Sequence, residues 1–202
     1  MAITVSRTYD SLERGRVEDF GFGWALAVGT QLEVNANNDV TFTFNGRRIT
    51  FQFKPQAGPF PFPFLLLPRF VPQTGVVGTL TSDGCGVMVN SQGSLVCFPG
   101  IDTFQPTTYT YTDPYGRVYV FGADGSMKSV QDLNGNVLTF GPNGITSNSG
   151  NINISFQRDS QGRITQINDL NGSSYIYSYD AAGNLVNVTI PNSATPHLTI
   201  GR

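Results

Sequence analysis

The side chains able to do chemistry are few, and most sit in one kind of place. Eleven Asp and three Glu could supply the paired carboxylates of a glycoside-type hydrolase. Most of the aspartates stand at turn positions, five of them at Asp-x-x-Gly corners, where bonding to the chain's own backbone explains them, so no enzyme is expected. The single His, His197, follows Pro196 near the end of the sequence. No local serine and aspartate surround it in a triad order, and it reads as an exposed tail residue. One imidazole and two thiols cannot by themselves make a four-ligand zinc site. Asp132-Leu-Asn-Gly135 and Asp169-Leu-Asn-Gly172 look like fragments of calcium loops, but they lack the alternating D-x-[DN]-x-[DN]-G spacing and the distal Glu. No metal or cofactor is implied. Cys85 and Cys97 flank a hairpin whose turn lies near Asn90–Gly93. A register centred on Ser91 sets the two sulfurs face to face as a disulfide; a one-residue change leaves two buried thiols. No basic or His neighbour is present to activate either one as a nucleophile.

Composition narrows the classes further. The 202 residues carry 13% charged side chains, a formal net charge of −2 and only 12 Lys plus Arg. That count speaks against a nucleic-acid or anionic-membrane surface, since phosphate binding is driven by clustered Lys and Arg. With 39% hydrophobic and 12% aromatic residues the chain can bury a core. Met1-Ala-Ile-Thr-Val-Ser-Arg7 has no apolar leader core, and the apolar run Phe64-Leu-Leu-Leu67 is too short to span a bilayer. The expectation is a soluble chain with no transmembrane segment, either exported without a cleaved leader or part of something longer.

The elements that must hold these residues are strands. Apolar residues alternate with period two, and Gly or Pro interrupts every few positions. In Val40–Phe53, Asn45-Gly46 signals a two-residue hairpin. That turn pairs Phe44 with Arg47, Phe42 with Ile49 and Val40 with Phe51. Val40, Phe42, Phe44, Ile49, Phe51 and Phe53 then share a core face, opposite Thr41, Thr43, Arg48, Thr50 and Gln52. From Gln56 to Pro72, Pro alternates with Phe. This reads as an extended polyproline-like connector packing its Phe side chains onto the sheet, because Pro cannot donate to a central ladder.

The C-terminal half is repetitive. Asp-x-x-Gly occurs at Asp113–Gly116, Asp132–Gly135, Asp159–Gly162, Asp169–Gly172 and Asp180–Gly183, with Asp124-Gly125 and Asn143-Gly144 as looser copies. Glycines 116, 125, 135, 144, 162, 172 and 183 step by 9, 10, 9, 18, 10 and 11, so one copy has drifted around Gly150. A period of about ten suits a short strand plus a tight turn. Tyr175, Tyr177 and Tyr179 share a face of one such strand. Asn153, Asn171 and Asn187 head N-x-[ST] sequons, which matter only in a secreted eukaryotic chain.

These repeats resemble the RHS/YD-repeat family. The Tyr-Asp-x-x-Gly-Asn/Arg pattern stands as Tyr179-Asp-Ala-Ala-Gly-Asn-Leu-Val186. Weaker copies are Tyr111-Thr-Asp-Pro-Tyr-Gly-Arg-Val118, Phe156-Gln-Arg-Asp-Ser-Gln-Gly-Arg-Ile164 and Asp132-Leu-Asn-Gly-Asn-Val137. Val5-Ser-Arg-Thr-Tyr-Asp-Ser11 and Phe20-Gly-Phe-Gly-Trp-Ala-Leu26 are similar to the segment that opens bacterial members. The family's self-cleavage signature is echoed by Asp113-Pro-Tyr-Gly116, but Arg117 replaces its Leu and the motif precedes the repeats, so it reads as an ordinary turn.

The resemblance implies an all-β fold of antiparallel β-hairpin repeats forming a long curved sheet, a segment of an RHS/YD-repeat shell. It implies a non-enzymatic role: enclosing or scaffolding a toxin or effector polypeptide, outside the cell. The chain divides into an opening segment and hairpin at 1–54, a Pro/Phe-rich connector at 55–80, the cysteine hairpin at 81–110, repeats at 111–190 and a tail at 191–202. The expected partners are the rest of a larger shell, an enclosed polypeptide, or other copies through unpaired sheet edges. The alternative is a surface adhesion or glycan-binding module using Trp24, Tyr175, Tyr177 and Tyr179 as stacking surfaces. Trp24 itself reads first as a core anchor, since Phe22 and Leu26 share its strand parity.

Overall fold

The computed structural model describes residues 5–199, apart from 13, 28–30, 45–46, 59–60, 62–63, 101, 151, 194 and 197. The Asn45-Gly46 turn, His197, residues 1–4 and part of the Pro/Phe run (Pro59, Phe60, Phe62, Pro63) therefore lie outside the described residues. The protein is all-β and antiparallel, and no helix occurs among the described residues. Two compact units form, Met1–Val28 with Asn136–Arg202, and Gly29–Gly135. These bounds join the opening segment to the later repeats, a grouping unlike the five consecutive segments read from the sequence.

In the Gly29–Gly135 unit, Phe70–Pro72, Arg47–Phe53, Val40–Phe44 and Leu32–Val34 form one sheet in that order. The pairs Phe44 with Arg47, Phe42 with Ile49 and Val40 with Phe51 all form, so the period-two pattern and turn spacing did set the register. A second run of strands comprises Thr79–Ser82, Thr108–Thr112, Val118–Gly122 and Met127–Gln131. The two faces meet through rings: Phe42 lies 4.9 Å from Tyr111 and 5.5 Å from Phe121. Phe51 also packs edge-on against Tyr111 at 5.9 Å.

The Pro/Phe-rich stretch is not a plain connector. It forms a hairpin, Gln56–Ala57 against Leu66–Leu67, and then the sheet-edge strand Phe70–Pro72. The edge place is one that Pro permits. Leu66 also pairs with Val87 of the hairpin Gly86–Val89 and Leu95–Phe98. Cys85 and Cys97 form a disulfide there, with Cα atoms 5.4 Å apart. Val87 opposes Cys97 and Val89 opposes Leu95, so the register centres on Gln92 rather than Ser91. A shift of that size moves the cysteines to diagonal positions but keeps them on one face.

In the other unit, Val137–Gly141, Gly144–Ser147, Asn153–Arg158, Ile164–Asn168, Ser174–Tyr179, Leu185–Thr189 and Leu198–Thr199 are neighbours in chain order. Their inner face buries Ile145, Ile154, Phe156, Ile164, Ile167, Tyr177, Leu185 and Val188 around Phe20 of the opening segment. The outer face carries Gln166, Asn168, Ser174 and Ser155, hydrogen-bonded side chain to side chain, beside the exposed Ile176. That alternation is what a sheet with one wet face requires.

Candidate functional site: the aspartate–glycine corners

Each corner begins with a strand end that must reverse. At Asp159 the backbone N–H donates to Arg163 O at 2.9 Å, and Gly162 N–H donates back to Asp159 O at 3.0 Å. This is a type I turn closed by a residue in the left-handed region, where Gly162 has φ +82. The carboxylate takes two further amides: Gln161 N–H and Arg163 N–H each donate to Asp159 Oδ1 at 2.9 Å. The second oxygen accepts from Arg163 Nε at 2.8 Å.

The same wiring repeats. Asp169 accepts from Asn171 and Ser173 N–H, and Asp113 accepts from Tyr115 and Arg117 N–H with Arg117 Nε on its other oxygen at 2.7 Å. Asp132 accepts from Asn134 N–H. Asp180 accepts from Asn184 N–H, while Asn184 Nδ2 reaches both carboxylate oxygens. At Asp113, Asp159 and Asp180 the Arg or Asn that follows the glycine thus closes the ring onto the aspartate that opens the turn.

Two looser copies resolve differently. Asn143-Gly144 belongs to a two-residue reversal between paired Gly141 and Gly144, not an Asp-type corner. The displaced copy is Ser147–Gly150, where Gly150 N–H donates to Ser147 O and Ser149 N–H to Ser147 Oγ. In the other, Gly122 occupies the first position, and Asp124 instead binds Ser126 and Lys128. Two further corners open on Asn: the turn expected near Asn90–Gly93, and one at Asn35 that the Asp-x-x-Gly pattern did not mark. Asn35 Oδ1 accepts from Asn37 and Asp39 N–H, and Asn90 Oδ1 from Gln92 and Ser94 N–H. The signal was present as Asn35-x-x-Asn38 and Asn90-x-x-Gly93.

A recurrent irregularity follows three of the corners. One extra residue, Lys128, Thr165 or Val186, sits three places after Gly125, Gly162 or Gly183. The corners at Asp113 and Asp169 lead into strands paired without one. Such bulges increase local twist and bend the strand that carries them.

Electrostatically the corners are satisfied rather than poised. Burial pushes the Asp159 carboxyl upward, but the Arg163 side chain and the backbone N–H groups of Arg163 and Gln161 outweigh it and hold it below the usual range. Asp124 behaves alike through Ser126 and Lys128, and Asp83 through Thr107 and Thr108. Asp102 aside, every aspartate accepts a hydrogen bond from a backbone N–H. No three His, Cys, Asp or Glu side chains cluster as metal ligands among the described residues.

Residues 158–195, spanning the Asp159, Asp169 and Asp180 corners, match the family model described as RHS Repeat. The chain carries RHS repeat sequence. No curated protein matches it. The RHS repeat is thus, in this chain, a strand pair joined by a carboxylate-filled turn.

The aromatic row of the repeat does not present a binding platform. Tyr177 is buried, its ring 4.7 Å from Phe20. Tyr179 donates its hydroxyl to Ile164 O at 2.5 Å and is covered by the Arg163 guanidinium at 4.4 Å from its ring centre. Tyr175 and Trp24 pack against the same core, and Trp24 lies 5.1 Å from Tyr9. The expected stacking surfaces are corrected to core-facing positions because strand parity turns all three tyrosines toward Phe20 and its neighbours.

The opening segment is fastened to the repeat. Ile164 N–H donates to Asp19 O at 2.7 Å, and Asp19 Oδ2 accepts from Leu26 N–H at 3.2 Å. Gly21 fits so tightly that a Cβ there would lie 2.5 Å from Gly183 O.

Proposed function

We propose that the chain is a non-enzymatic structural segment of an RHS shell, whose sheet encloses or scaffolds an effector polypeptide outside the cell. The observation that carries this reading is the use of the corner carboxylates. Asp113, Asp159, Asp169 and Asp180 bind their own loop amides, which supports chain reversal as their work. Stacked reversals of this kind extend a sheet indefinitely, and an extended sheet is what a container wall needs. The bulges after Gly125, Gly162 and Gly183 supply the bending that such a wall requires.

Limited proteolysis of the chain, expressed with its flanking coding sequence, tests this. An enclosed polypeptide should resist protease until the sheet is destabilised, for example by Asp159→Ala with Asp180→Ala. Digestion of the flanking polypeptide at the same rate with and without an intact sheet would contradict enclosure.

A further inference from the structure

Within the Gly29–Gly135 unit, the short strands Gln56–Ala57, Leu66–Leu67, Gly86–Val89 and Leu95–Phe98 form a sheet of their own. Its interior is thin. Val87 alone is buried in these strands, whereas Thr108–Thr112 and Val118–Gly122 bury Tyr109, Tyr111, Tyr119 and Phe121. One paired couple, Leu66 with Val87, joins Gly86–Val89 to its neighbour on that side. A hairpin with so little apolar cover is marginal by itself. What it has instead is a covalent tie, the Cys85–Cys97 disulfide, closing a sequence separation of 12.

The main strands are closed separately, at the base of this hairpin. Asp83 N–H donates to Thr108 O at 3.1 Å, and the Thr107 and Thr108 N–H groups each donate to Asp83 Oδ1 at 2.8 Å. Thr107 Oγ1 donates to the other carboxylate oxygen. This knot holds both legs together where they leave Thr79–Ser82 and Thr108–Thr112, so that pairing does not depend on the hairpin beyond it. Past the knot, Cys97 N–H donates to Asp102 O at 2.8 Å and Phe104 N–H to Leu95 O at 3.1 Å. Opening the hairpin breaks these bonds and leaves the Asp83 knot intact. Both cysteines are half-buried, which leaves their sulfurs within reach of a small thiol.

We propose that Cys85–Cys97 is a redox latch: formed, it holds the hairpin Gly86–Val89 with Leu95–Phe98 shut, and its reduction by a dithiol opens that hairpin while the main strands stay folded. One thiolate of the dithiol attacks a cysteine sulfur, the S–S bond breaks, and the other cysteine leaves as a thiolate. The second thiol of the reductant then displaces the first cysteine from the mixed disulfide. Two electrons pass to the cysteines, which end as two protonated thiols, and the reductant ends as a cyclic disulfide. Removing a cross-link over a loop of this length raises the open population about a hundredfold. An element with one buried side chain has little else to oppose that gain, whereas the strands behind Asp83 keep their aromatic core. The latch is thus shut in an oxidising compartment and open in a reducing one. The inference is independent of the shell reading and survives its failure.

Residue-resolved amide exchange of the full chain, with and without dithiothreitol and with no denaturant, tests it. Thiol counting should find both cysteines reduced. The Cys97 and Phe104 amides should then exchange about a hundredfold faster, while those of Asp113 and Gly122, which donate to Arg117 O and Ser126 O, stay protected. Removing the reductant and reoxidising should restore the slow rates. Cys85→Ser with Cys97→Ser should show the fast pattern with or without dithiothreitol; should that variant fail to fold, reduction of the wild-type chain in place still gives the reading. Three results would overturn the proposal. The disulfide could resist dithiothreitol in the folded chain, so that no latch is accessible. Cys97 and Phe104 could stay slow after reduction, making the bond a passive staple. Asp113 and Gly122 could lose protection together with them, making the event global unfolding.

Discussion

Arg158 Nη2 donates to Asp19 Oδ1 at 2.7 Å, joining residues 139 positions apart. The same guanidinium donates to Pro142 O at 2.8 Å and Gly162 O at 2.6 Å. One side chain thus ties the opening segment, a neighbouring turn and the Asp159 corner together. Both partners are mostly withdrawn from solvent, so the pair is worth more than a surface bridge. Arg158→Ala should cost about 1–2 kcal/mol in denaturant unfolding, because it removes the part-buried Asp19 pair together with two hydrogen bonds to exposed carbonyls. Asp19→Asn should cost about 1 kcal/mol, and the double variant should be sub-additive.

The corner aspartates separate hydrogen bonding from charge. Asp159→Ala orphans two loop amides and should destabilise by about 1–2 kcal/mol. Asp159→Asn keeps an Oδ1 acceptor, as Asn35 and Asn90 do in their own corners, and should cost under about 1 kcal/mol. Equal losses in thermal or urea unfolding would show that the Arg163 ion pair, not the amide acceptor, sets the value.

Acid should act through the same groups. The Asp83, Asp124 and Asp159 carboxyls are held below their unfolded values, so the stability they contribute is complete above the unfolded pKa near 3.8 and declines as pH falls through the lower folded values. Unfolding free energy should be level with respect to these groups above about pH 5 and drop below about pH 4. Asp159→Asn should flatten part of that drop.

Two glycines distinguish conformational strain from lack of space. Gly172, with φ +79, has nothing within 4 Å of a built Cβ, so Gly172→Ala should cost about 1 kcal/mol from backbone strain alone. At Gly21, also left-handed, the Cβ would meet Gly183 O at 2.5 Å, and Gly21→Ala should cost about 3 kcal/mol or more by adding a displacement of the opening segment. Similar melting shifts for both would refute that close approach.

Reduction of Cys85–Cys97 opens a short loop, with a sequence separation of 12. Chain-entropy reasoning predicts a loss of about 2–3 kcal/mol for the unit that contains it, read as a lowered urea midpoint with reductant.

What was legible in the sequence was local. The pairing of Val40–Phe44 with Arg47–Phe53 follows from alternation, and the Asp-x-x-Gly spacing marks reversals because the residues that bond are four apart or fewer. The cysteine hairpin missed by a register because its corner opens on Asn90, whose acceptor role is the same but whose type broke the pattern. The Pro/Phe run misled because Pro argues against strands, yet Gln56–Ala57 and Leu66–Leu67 pair on either side of it. The core-facing Tyr177 and the Asp19–Arg158 tie depend on Phe20 and Asp19 arriving from far upstream, which no periodicity announces.

Amide hydrogen exchange at the corners tests the central claim most directly. In the wild-type chain, the N–H groups of Gln161, Arg163, Asn171, Ser173 and Asn184 should be protected although they lie in turns. Asp159→Ala should release Gln161 and Arg163 alone, and Asp159→Asn should leave them slow. Amides that exchange freely in the wild type, or protection unchanged by Asp159→Ala, would contradict the assignment of these carboxylates to chain reversal.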